Sequence, residues 1–439
     1  MRPELQDTRS HSIWQNVTTW ALLLPLLYNS GVVLGSSQDR PMDLLSASTT
    51  GPWAVVNKSY MLFYALIVLW LLVSRWKTIL AIGQRQLWLV VMVCLALLST
   101  IWSQDAGTTA LRAMWLAVDT CFILWFASRF EWKDQMRLLM LTGALGALLS
   151  LAAVIAVPSR GLDTMHGGAW QGVYYSKNHL ARAMLFMLLP AFHLRMPKRA
   201  VSNLLRLGYI ALLLTMIVMS ESKTAIILAL FYVAYWSSVR IVTRFNAVAR
   251  IGSAALGLLC FAVAAVLIVP NLDAFLRIFG SDSSLTGRTT IWGALIMSAM
   301  KHLSLGYGYQ AFWVSGSSEG TDAFARVYSL MHFTMSYSHS GYIDVVLQLG
   351  LVGLSIIIFC LIRMTLRSYS AFLRGWSAEA EWATGVLLIT ILYNIDEVTF
   401  IQQGGLNWMI FVLASISLAR LATERSAKNN LTPSLAGEP

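Results

Sequence analysis

Runs of about 18 or more apolar residues recur along the whole 439-residue chain. Each run is long enough to cross the roughly 30 Å hydrocarbon core of a bilayer as a helix. Lipid offers no hydrogen-bond partners to the backbone, so the helix is the structure in which such a run satisfies its own peptide groups. Only 12% of the residues are charged, against about 25% in soluble globular proteins. The sequence therefore predicts an all-α polytopic membrane protein.

The apolar runs predict about twelve transmembrane helices, near residues 15–35, 59–75, 86–103, 108–127, 137–157, 179–194, 203–220, 223–240, 251–270, 342–362, 381–399 and 404–420. Most of the 32 Lys and Arg residues fall on every second connection, as expected for cytoplasmic loops. We therefore expect both termini in the cytoplasm, and an uncleaved first span.

One transmembrane domain is expected over residues 1–439, with a non-cytoplasmic loop subdomain at 271–341. The polar residues of 427–439 predict a disordered cytoplasmic tail. Within the loop, TTIWGALIMSAMKHL (289–303) places apolar residues at helical spacing. Two interpretations fit this segment equally: a helix at the membrane interface, or an ordinary helix packed on the bundle.

Several kinds of site are disfavoured by what the sequence lacks. All four cysteines fall inside apolar runs, which argues against a disulfide framework or a cysteine metal site. The long loop has no closely spaced Asp-x-Asp pair and no histidine cluster, so no metal–diphosphate site is predicted. No phosphate-binding loop of the Gly-x-x-x-x-Gly-Lys-Ser/Thr type occurs on a cytoplasmic connection, so nothing indicates ATP hydrolysis.

Five side chains that carry or can accept positive charge are predicted on the non-cytoplasmic side, namely Arg160, Lys177, Lys223, Arg288 and His339. This placement opposes the usual cytoplasmic bias of basic residues, and an anionic ligand would explain it. Any one of them, taken alone, is more simply explained as a lipid headgroup contact or a snorkelling side chain.

Two of these residues are expected at helix starts. In WQGVYYSKNHLARAM (170–184), Lys177 and Asn178 would add a charge and an amide to free backbone N–H groups, a suitable phosphate site. The alternative is that Ser176 or Asn178 only caps the helix. Lys223 in SESKTAI (220–226) lies at a tight turn and can reach a ligand at the mouth of the bundle, or can simply snorkel.

The remaining two residues have the chemistry for phosphate binding and proton transfer. Arg288 in GRTTIW (287–292) offers a planar fork suited to bidentate contact with phosphate oxygens. His339 in HSGY (339–342) can act as a general base near neutral pH if a hydroxyl comes within hydrogen-bonding distance. A purely structural role is the alternative for a histidine at a helix start.

Seen together, these segments resemble the O-antigen ligase superfamily, and especially its exopolysaccharide production proteins. The resemblance rests on WSQD (102–105), WQGVYYSKNHLA, SESKTA, GRTTIW, GYGYQAFW (306–313), HSGYIDVVLQLGLVG, and NIDE (394–397) with Asn407. These motifs occur in the order typical of the family and span most of the chain.

The resemblance implies a metal-independent GT-C glycosyltransferase of the bacterial inner membrane, with a periplasmic active site and no cofactor. Such enzymes move a glycan from undecaprenyl diphosphate to an acceptor hydroxyl. The resemblance makes His339 the base and Arg288 a diphosphate ligand, and it assigns Arg160, Lys177, Asn178 and Lys223 more loosely to substrate binding. Direct displacement would invert the anomeric centre.

The favoured function is O-antigen ligase, with a sugar of the lipid A-core as the acceptor in lipopolysaccharide assembly. An O-antigen or exopolysaccharide polymerase that joins lipid-linked repeats is the alternative. A secondary transporter or glycolipid flippase is a more distant one. No long central loop divides the chain into halves, and few ionisable residues lie near predicted mid-membrane positions.

Overall fold

The computed structural model describes residues 23–32, 52–164, 167–194, 200–242, 244, 284–314, 318–331, 337–374 and 376–431. Its contacts divide the chain into two compact units. The first comprises Met1–Ile67 and Arg129–Ser222, and the second comprises Val68–Ser128 and Lys223–Pro439. Helix α2 (Pro52–Arg85) runs from the first unit into the second.

The described part of the first unit is a group of packed helices with one short hairpin. Helix α5 packs against α1, α7 and α8, and α7 also packs against α8. The two-residue strands β1 and β2 pair antiparallel, Leu162 opposite Trp170. Besides the start of α2, its elements are α1 (Leu23–Asn29), α5 (Trp132–Ala156), α6 (Pro158–Gly161), β1 (Leu162–Asp163), β2 (Ala169–Trp170), α7 (Lys177–His193) and α8 (Ala200–Met219).

The second unit is organised around three helices near the end of the chain. Helix α12 packs against α3, α10, α13 and α14, and α13 also packs against α9 and α14. Besides the end of α2, its elements are α3 (Leu87–Leu98), α4 (Ala106–Arg129), α9 (Lys223–Val242), α10 (Ser284–Lys301), α11 (Ser318–Met331), α12 (Gly341–Arg374), α13 (Ala378–Asp396) and α14 (Leu406–Leu431).

Within the described ranges, seven helices are long and apolar enough to cross a membrane. They are Ser59–Arg85, Ala106–Arg129, Trp132–Ala156, Ala200–Met219, Lys223–Val242, Gly341–Leu373 and Leu406–Thr423. The segment Leu87–Ile101 is a shorter apolar helix. The prediction of a mostly helical, polytopic membrane protein is therefore confirmed, whereas twelve spans and a GT-C architecture stay predictions.

Some predicted segments do not fall in this set. Helices α7 and α13 coincide with predicted spans six and eleven but are not among the seven. Predicted span nine, 251–270, lies outside the described residues, and of the first span only 23–32 is described. Helix α14 ends at Leu431, inside the predicted tail of 427–439, and 432–439 lie outside the described residues. The single-domain division stays a prediction.

The helix predicted from TTIWGALIMSAMKHL is present as α10. Its inner side, with Ile291, Leu295 and Ala299 buried, packs against α11 and α12, as the interpretation of a helix on the bundle required. Ile296, next to Leu295 in the sequence, lies on the other side and is 51% exposed. The helix therefore has a second apolar side that the described helices leave exposed.

A buried loop follows α10 and carries the GYGYQAFW motif. The Tyr307 N–H donates to the carbonyl of Leu347 at 2.8 Å, and the Gly308 N–H donates to the carbonyl of Gln348 at 3.0 Å. The phenol of Tyr309 donates to the carbonyl of Ile401 at 2.5 Å. These bonds fix the loop on α12 and on the turn after α13.

We expect Gly308→Ala to destabilise the protein. Gly308 has φ of +97°, and a Cβ there would lie 2.4 Å from the hydroxyl oxygen of Ser103. Overpacking of this kind costs about 1–3 kcal/mol, and the left-handed backbone adds strain. The measurement is the thermal midpoint of the purified protein.

The matched control for this change is Gly208→Ala. A Cβ at Gly208, in α8, would meet no described atom within 4 Å. Since alanine favours a helix over glycine by about 1 kcal/mol, this variant should keep or raise the midpoint. Equal midpoints for the two variants would contradict the close packing of the loop.

Candidate functional site

The end of α13 is shaped by one buried asparagine, Asn394. Its amide nitrogen donates to the carbonyl of Thr390 at 2.8 Å and to the hydroxyl of Thr399 at 2.6 Å. Its oxygen accepts from the backbone N–H groups of Thr399 at 2.9 Å and Phe400 at 3.2 Å. The side chain thus satisfies both ends of the turn, which fixes where the helix stops and where the next two acidic residues lie.

Four ionisable side chains from three distant parts of the chain meet at this helix end. Arg288 Nη1 donates to Asp396 Oδ1, and Arg288 Nη2 lies 3.9 Å from Glu397 Oε1. His339 Nδ1 lies 3.9 Å from the same oxygen of Glu397. The hydroxyl of Thr224 donates to Asp396 Oδ2. We call Arg288, His339, Asp396 and Glu397 the charged cluster.

The electrostatics of the charged cluster favour cations. Two carboxylates stand at the carboxyl end of α13, where the helix dipole also attracts positive charge. The side chains are only partly exposed, 19% for Arg288 and 6% for Glu397, so their interactions are screened less than on an open surface. With one permanent cation against two carboxylates, the charged cluster is neutral when His339 is protonated.

His339 is held in an unusual backbone conformation, with φ of +50°. The indole nitrogen of Trp292 donates to the carbonyl of Ser338 at 3.0 Å, on one side of the histidine. The N–H of Gly341 donates to the carbonyl of Glu397 at 3.0 Å, on the other. Non-glycine residues in this region cost of order 1–3 kcal/mol and concentrate at functional sites.

The turn that carries His339 is also tied to the loop after α10 by a buried carboxylate. Asp344 Oδ1 accepts from the indole of Trp313 at 2.8 Å and from the hydroxyl of Ser338 at 3.3 Å. Asp344 Oδ2 accepts from the side-chain amide of Gln348. The position of His339 therefore depends on α10, α12, α13 and the buried loop together.

Of the predicted site residues, Lys223, Arg288 and His339 belong to the second unit. Lys223 is the exposed first residue of α9, directly before Thr224, so it lies at the edge of the charged cluster. Arg288 and His339, about 50 residues apart in sequence, both approach Glu397. The structure thus brings these predicted residues to one place, while their roles stay predictions.

Arg160, Lys177 and Asn178 belong to the first unit. Lys177 is the first residue of α7, and Ser176 caps this helix by accepting from the His179 N–H at 3.4 Å, which is the capping alternative. Arg160 is exposed in α6. The three ligand assignments stay predictions.

Sequence reasoning assigned no role to Asp396, Glu397 or Thr224, although NIDE was one of the motifs of the resemblance. A signal was present, because acidic residues are few, 21 in the chain, and two of them adjoin at the end of a predicted span. The predicted topology places that end on the same, non-cytoplasmic side of the membrane as Arg288 and His339. Among the described residues, no group of three or more His, Cys, Asp or Glu could hold a metal ion.

Comparison with known families points to the same part of the chain. Residues 208–358 match the family model described as O-antigen ligase. The resemblance to the O-antigen ligase superfamily is confirmed. The matched segment 208–358 contains Lys223, Arg288 and His339, and it ends before Asp396 and Glu397.

Individual relatives match over less of their length. The exopolysaccharide production protein ExoQ of Rhizobium meliloti (strain 1021) is 35% identical over 105 residues, which are 23% of this chain and 23% of ExoQ. The chain thus spans less than a quarter of the curated relative that it matches. A solved structure described as "Structural coordination of polymerization and crosslinking by a peptidoglycan synthase complex" aligns with a TM-score of 0.36 and 13% identity, over 76% of this chain and 95% of that chain. This likeness is too weak to support a conclusion.

We expect Gly341→Ala to disturb the charged cluster. A Cβ at Gly341 would lie 1.9 Å from the oxygen of Asn394, which cannot retreat without breaking its own hydrogen bonds. The cost should again be about 1–3 kcal/mol, measured as a lower thermal midpoint.

The control is Gly293→Ala, on the exposed side of α10, where a Cβ would meet no described atom within 4 Å. This variant should match or exceed the parent. If Gly341→Ala had the parent's midpoint, the turn that carries His339 would not pack on Asn394 as described.

Proposed function

We propose that this protein is a lipid-linked glycan transferase of the bacterial inner membrane, with its site at the periplasmic face. It would move a glycan from undecaprenyl diphosphate to an acceptor hydroxyl without a metal ion. The observation that carries the proposal is the convergence of Arg288 and His339 on Glu397. A phosphate-binding side chain and a proton acceptor are the two groups that this transfer needs.

The donor's diphosphate is assigned to Arg288. The guanidinium has five donors, of which Nη1 bonds Asp396, so further N–H groups remain for phosphate oxygens. Asp396 and Glu397 repel an incoming diphosphate. Arg288 must therefore either break its hydrogen bond to Asp396 or donate to Asp396 and to the diphosphate at the same time. Lys223, at the edge of the charged cluster, adds positive charge on the approach.

The acceptor's hydroxyl is assigned to His339. The oxygen of the acceptor hydroxyl attacks the anomeric carbon and forms the new glycosidic bond, while the bond from that carbon to the diphosphate oxygen breaks. The diphosphate leaves with the bonding electron pair, and the hydroxyl proton passes to the imidazole. Attack from the side opposite the leaving group inverts the anomeric configuration.

Glu397 is assigned to orient the histidine. Its carboxylate lies 3.9 Å from Nδ1, which is buried and has no hydrogen-bond partner among the described residues. A carboxylate on that side favours a hydrogen on Nδ1 and leaves Nε2 to accept the proton of the hydroxyl.

We assign the protein as an O-antigen ligase that acts on lipid A-core. A polymerase is the second candidate, and one observation favours it: the curated relative is an exopolysaccharide production protein. Both reactions share the donor and the charged cluster and differ in the acceptor.

We expect His339→Ala and Arg288→Ala each to lower transfer by about 10²-fold or more, because general-base and charge-stabilising groups contribute at least that much. The assay is transfer of a lipid-linked glycan by purified protein. The matched controls are His302→Ala and Lys301→Ala, exposed residues directly after α10 and at its last position, which should keep the parent's rate. Arg288→Ala leaves Asp396 without its cation. Arg288→Lys keeps the positive charge but removes the planar guanidinium, and we expect its transfer rate to be low as well.

The product distinguishes the two candidates in the same assay. With lipid-linked glycan and rough lipopolysaccharide, a ligase makes capped lipopolysaccharide. A polymerase makes a ladder of lipid-linked products without lipopolysaccharide. If His339→Ala transferred glycan at the parent's rate, His339 would not be the base. If the parent transferred no glycan to either acceptor, the proposed function would be contradicted.

A further inference from the structure

The outer side of α10 is apolar where a helix facing water would be polar. Ile296, Met297 and Met300 are 51%, 62% and 64% exposed. Between Arg288 and Lys301, which is the last residue of the helix, α10 contains no charged residue. The opposite side of the helix is buried against α11 and α12. A helix that is apolar on both sides is typical of an apolar environment on both sides.

The carboxyl end of α10 is attached to an apolar part of α12. The N–H of Leu351 donates to the carbonyl of Leu303 at 2.8 Å, and the N–H of Val352 donates to the carbonyl of Ser304 at 3.2 Å. These bonds form beside the helix break at Gly350. They lie within Gly341–Leu373, one of the helices suited to cross a membrane.

Exposed apolar residues lie on both sides of this attachment. Leu351 and Val352 are themselves exposed on α12. On the other side, the indole of Trp102 donates to the carbonyl of Leu305 at 3.0 Å, and Trp102 directly follows the apolar segment Leu87–Ile101. Ile101 is also exposed. The outer side of α10 thus extends the surface that the candidate spans present to lipid.

The loop after α10 meets the requirement that lipid imposes on irregular backbone. Every N–H from Gly306 to Ala311 donates a hydrogen bond within the protein, to the carbonyls of His302, Leu347, Gln348 and Gly308 and to the side chains of Ser99 and Gln348. The carbonyls of Tyr309 and Gln310 accept from Thr109 and Arg112. At membrane depth, non-helical backbone is tolerated where it is buried in protein in this way.

We propose that α10 and residues 302–314 form a re-entrant element of the membrane domain, with Ile296, Met297, Met300 and Leu305 in contact with the acyl chains of the bilayer. The occupant is lipid because the same apolar surface continues onto the candidate spans. The element is part of the segment 271–341, which the sequence predicted to be a non-cytoplasmic loop with a helix at the membrane interface or on the bundle.

The proposed position of α10 in the membrane also determines where Arg288 lies. It does not depend on the proposed function. Arg288 lies twelve residues before Met300 on the same helix, about 18 Å away along the axis. A helix whose Met300 end is immersed in lipid therefore directs its Arg288 end towards the membrane surface, where lipid phosphates lie.

Spin labels in the full-length protein in lipid bilayers test this placement. In a background with the native cysteines replaced by serine, single cysteines replace Met297 or Met300, and Asp322, exposed on α11, serves as the control. We expect labels at 297 and 300 to collide more with dissolved oxygen, which concentrates in lipid, than with a water-soluble nickel complex. A label at position 322 should instead collide more with the nickel complex than with oxygen.

Two results would overturn the proposal. Greater nickel than oxygen collision at 297 and 300 would show that α10 faces water. Low collision with both probes would show that protein covers the helix, from another part of this chain or from a second copy. If either methionine variant fails to fold, as judged by its elution against the parent, Ile296→Cys replaces it and is judged by the same two outcomes.

Discussion

Backbone polar groups that lie at membrane depth must find their partners inside the protein, and the second unit is built around that constraint. Helices satisfy it for the spans, and the segment from Gly306 to Ala311 satisfies it by bonding to α12 and to residues between α3 and α4. The loop becomes a rigid part of the core, with Tyr309 buried and its phenol bonded to the turn after α13.

The buried loop and the helices around it fix the geometry of the charged cluster. His339 is held between α10, through Trp292, and the end of α13, through Gly341. Such support from several elements lets a residue stay in a conformation that costs energy, and it limits the freedom of the imidazole. The proposed transfer would depend on that limit, because an activated glycosyl diphosphate mainly needs alignment and one proton acceptor.

The sequence predicted the local features of this site well and its long-range features poorly. The helical nature of the spans, the helix at TTIWGALIMSAMKHL and the helix start at Lys177 follow from periodicity and capping, which act within a few residues. The meeting of Arg288 with Asp396 is different, since 108 residues separate them and only the packed fold brings them together.

The acidic partners were overlooked for a physical reason. An anionic diphosphate is bound by cations, so charge complementarity favours arginine, lysine and histidine and gives no reason to expect carboxylates. The charged cluster nevertheless needs Asp396 and Glu397, because a partly buried Arg288 without a counterion would be costly. The apolar outer side of α10 was visible in its sequence, but hydropathy alone could not tell which side the bundle would cover.

The proposed function requires Arg288 and His339 to act on one substrate at the end of α13. A structure of the protein in a lipid bilayer, with a glycan-linked undecaprenyl diphosphate bound, would test this. We expect phosphate oxygens within hydrogen-bonding distance of the Arg288 guanidinium and the anomeric carbon on the side of His339. A donor bound with its diphosphate away from Arg288, and with the bond from Arg288 to Asp396 unchanged, would contradict it.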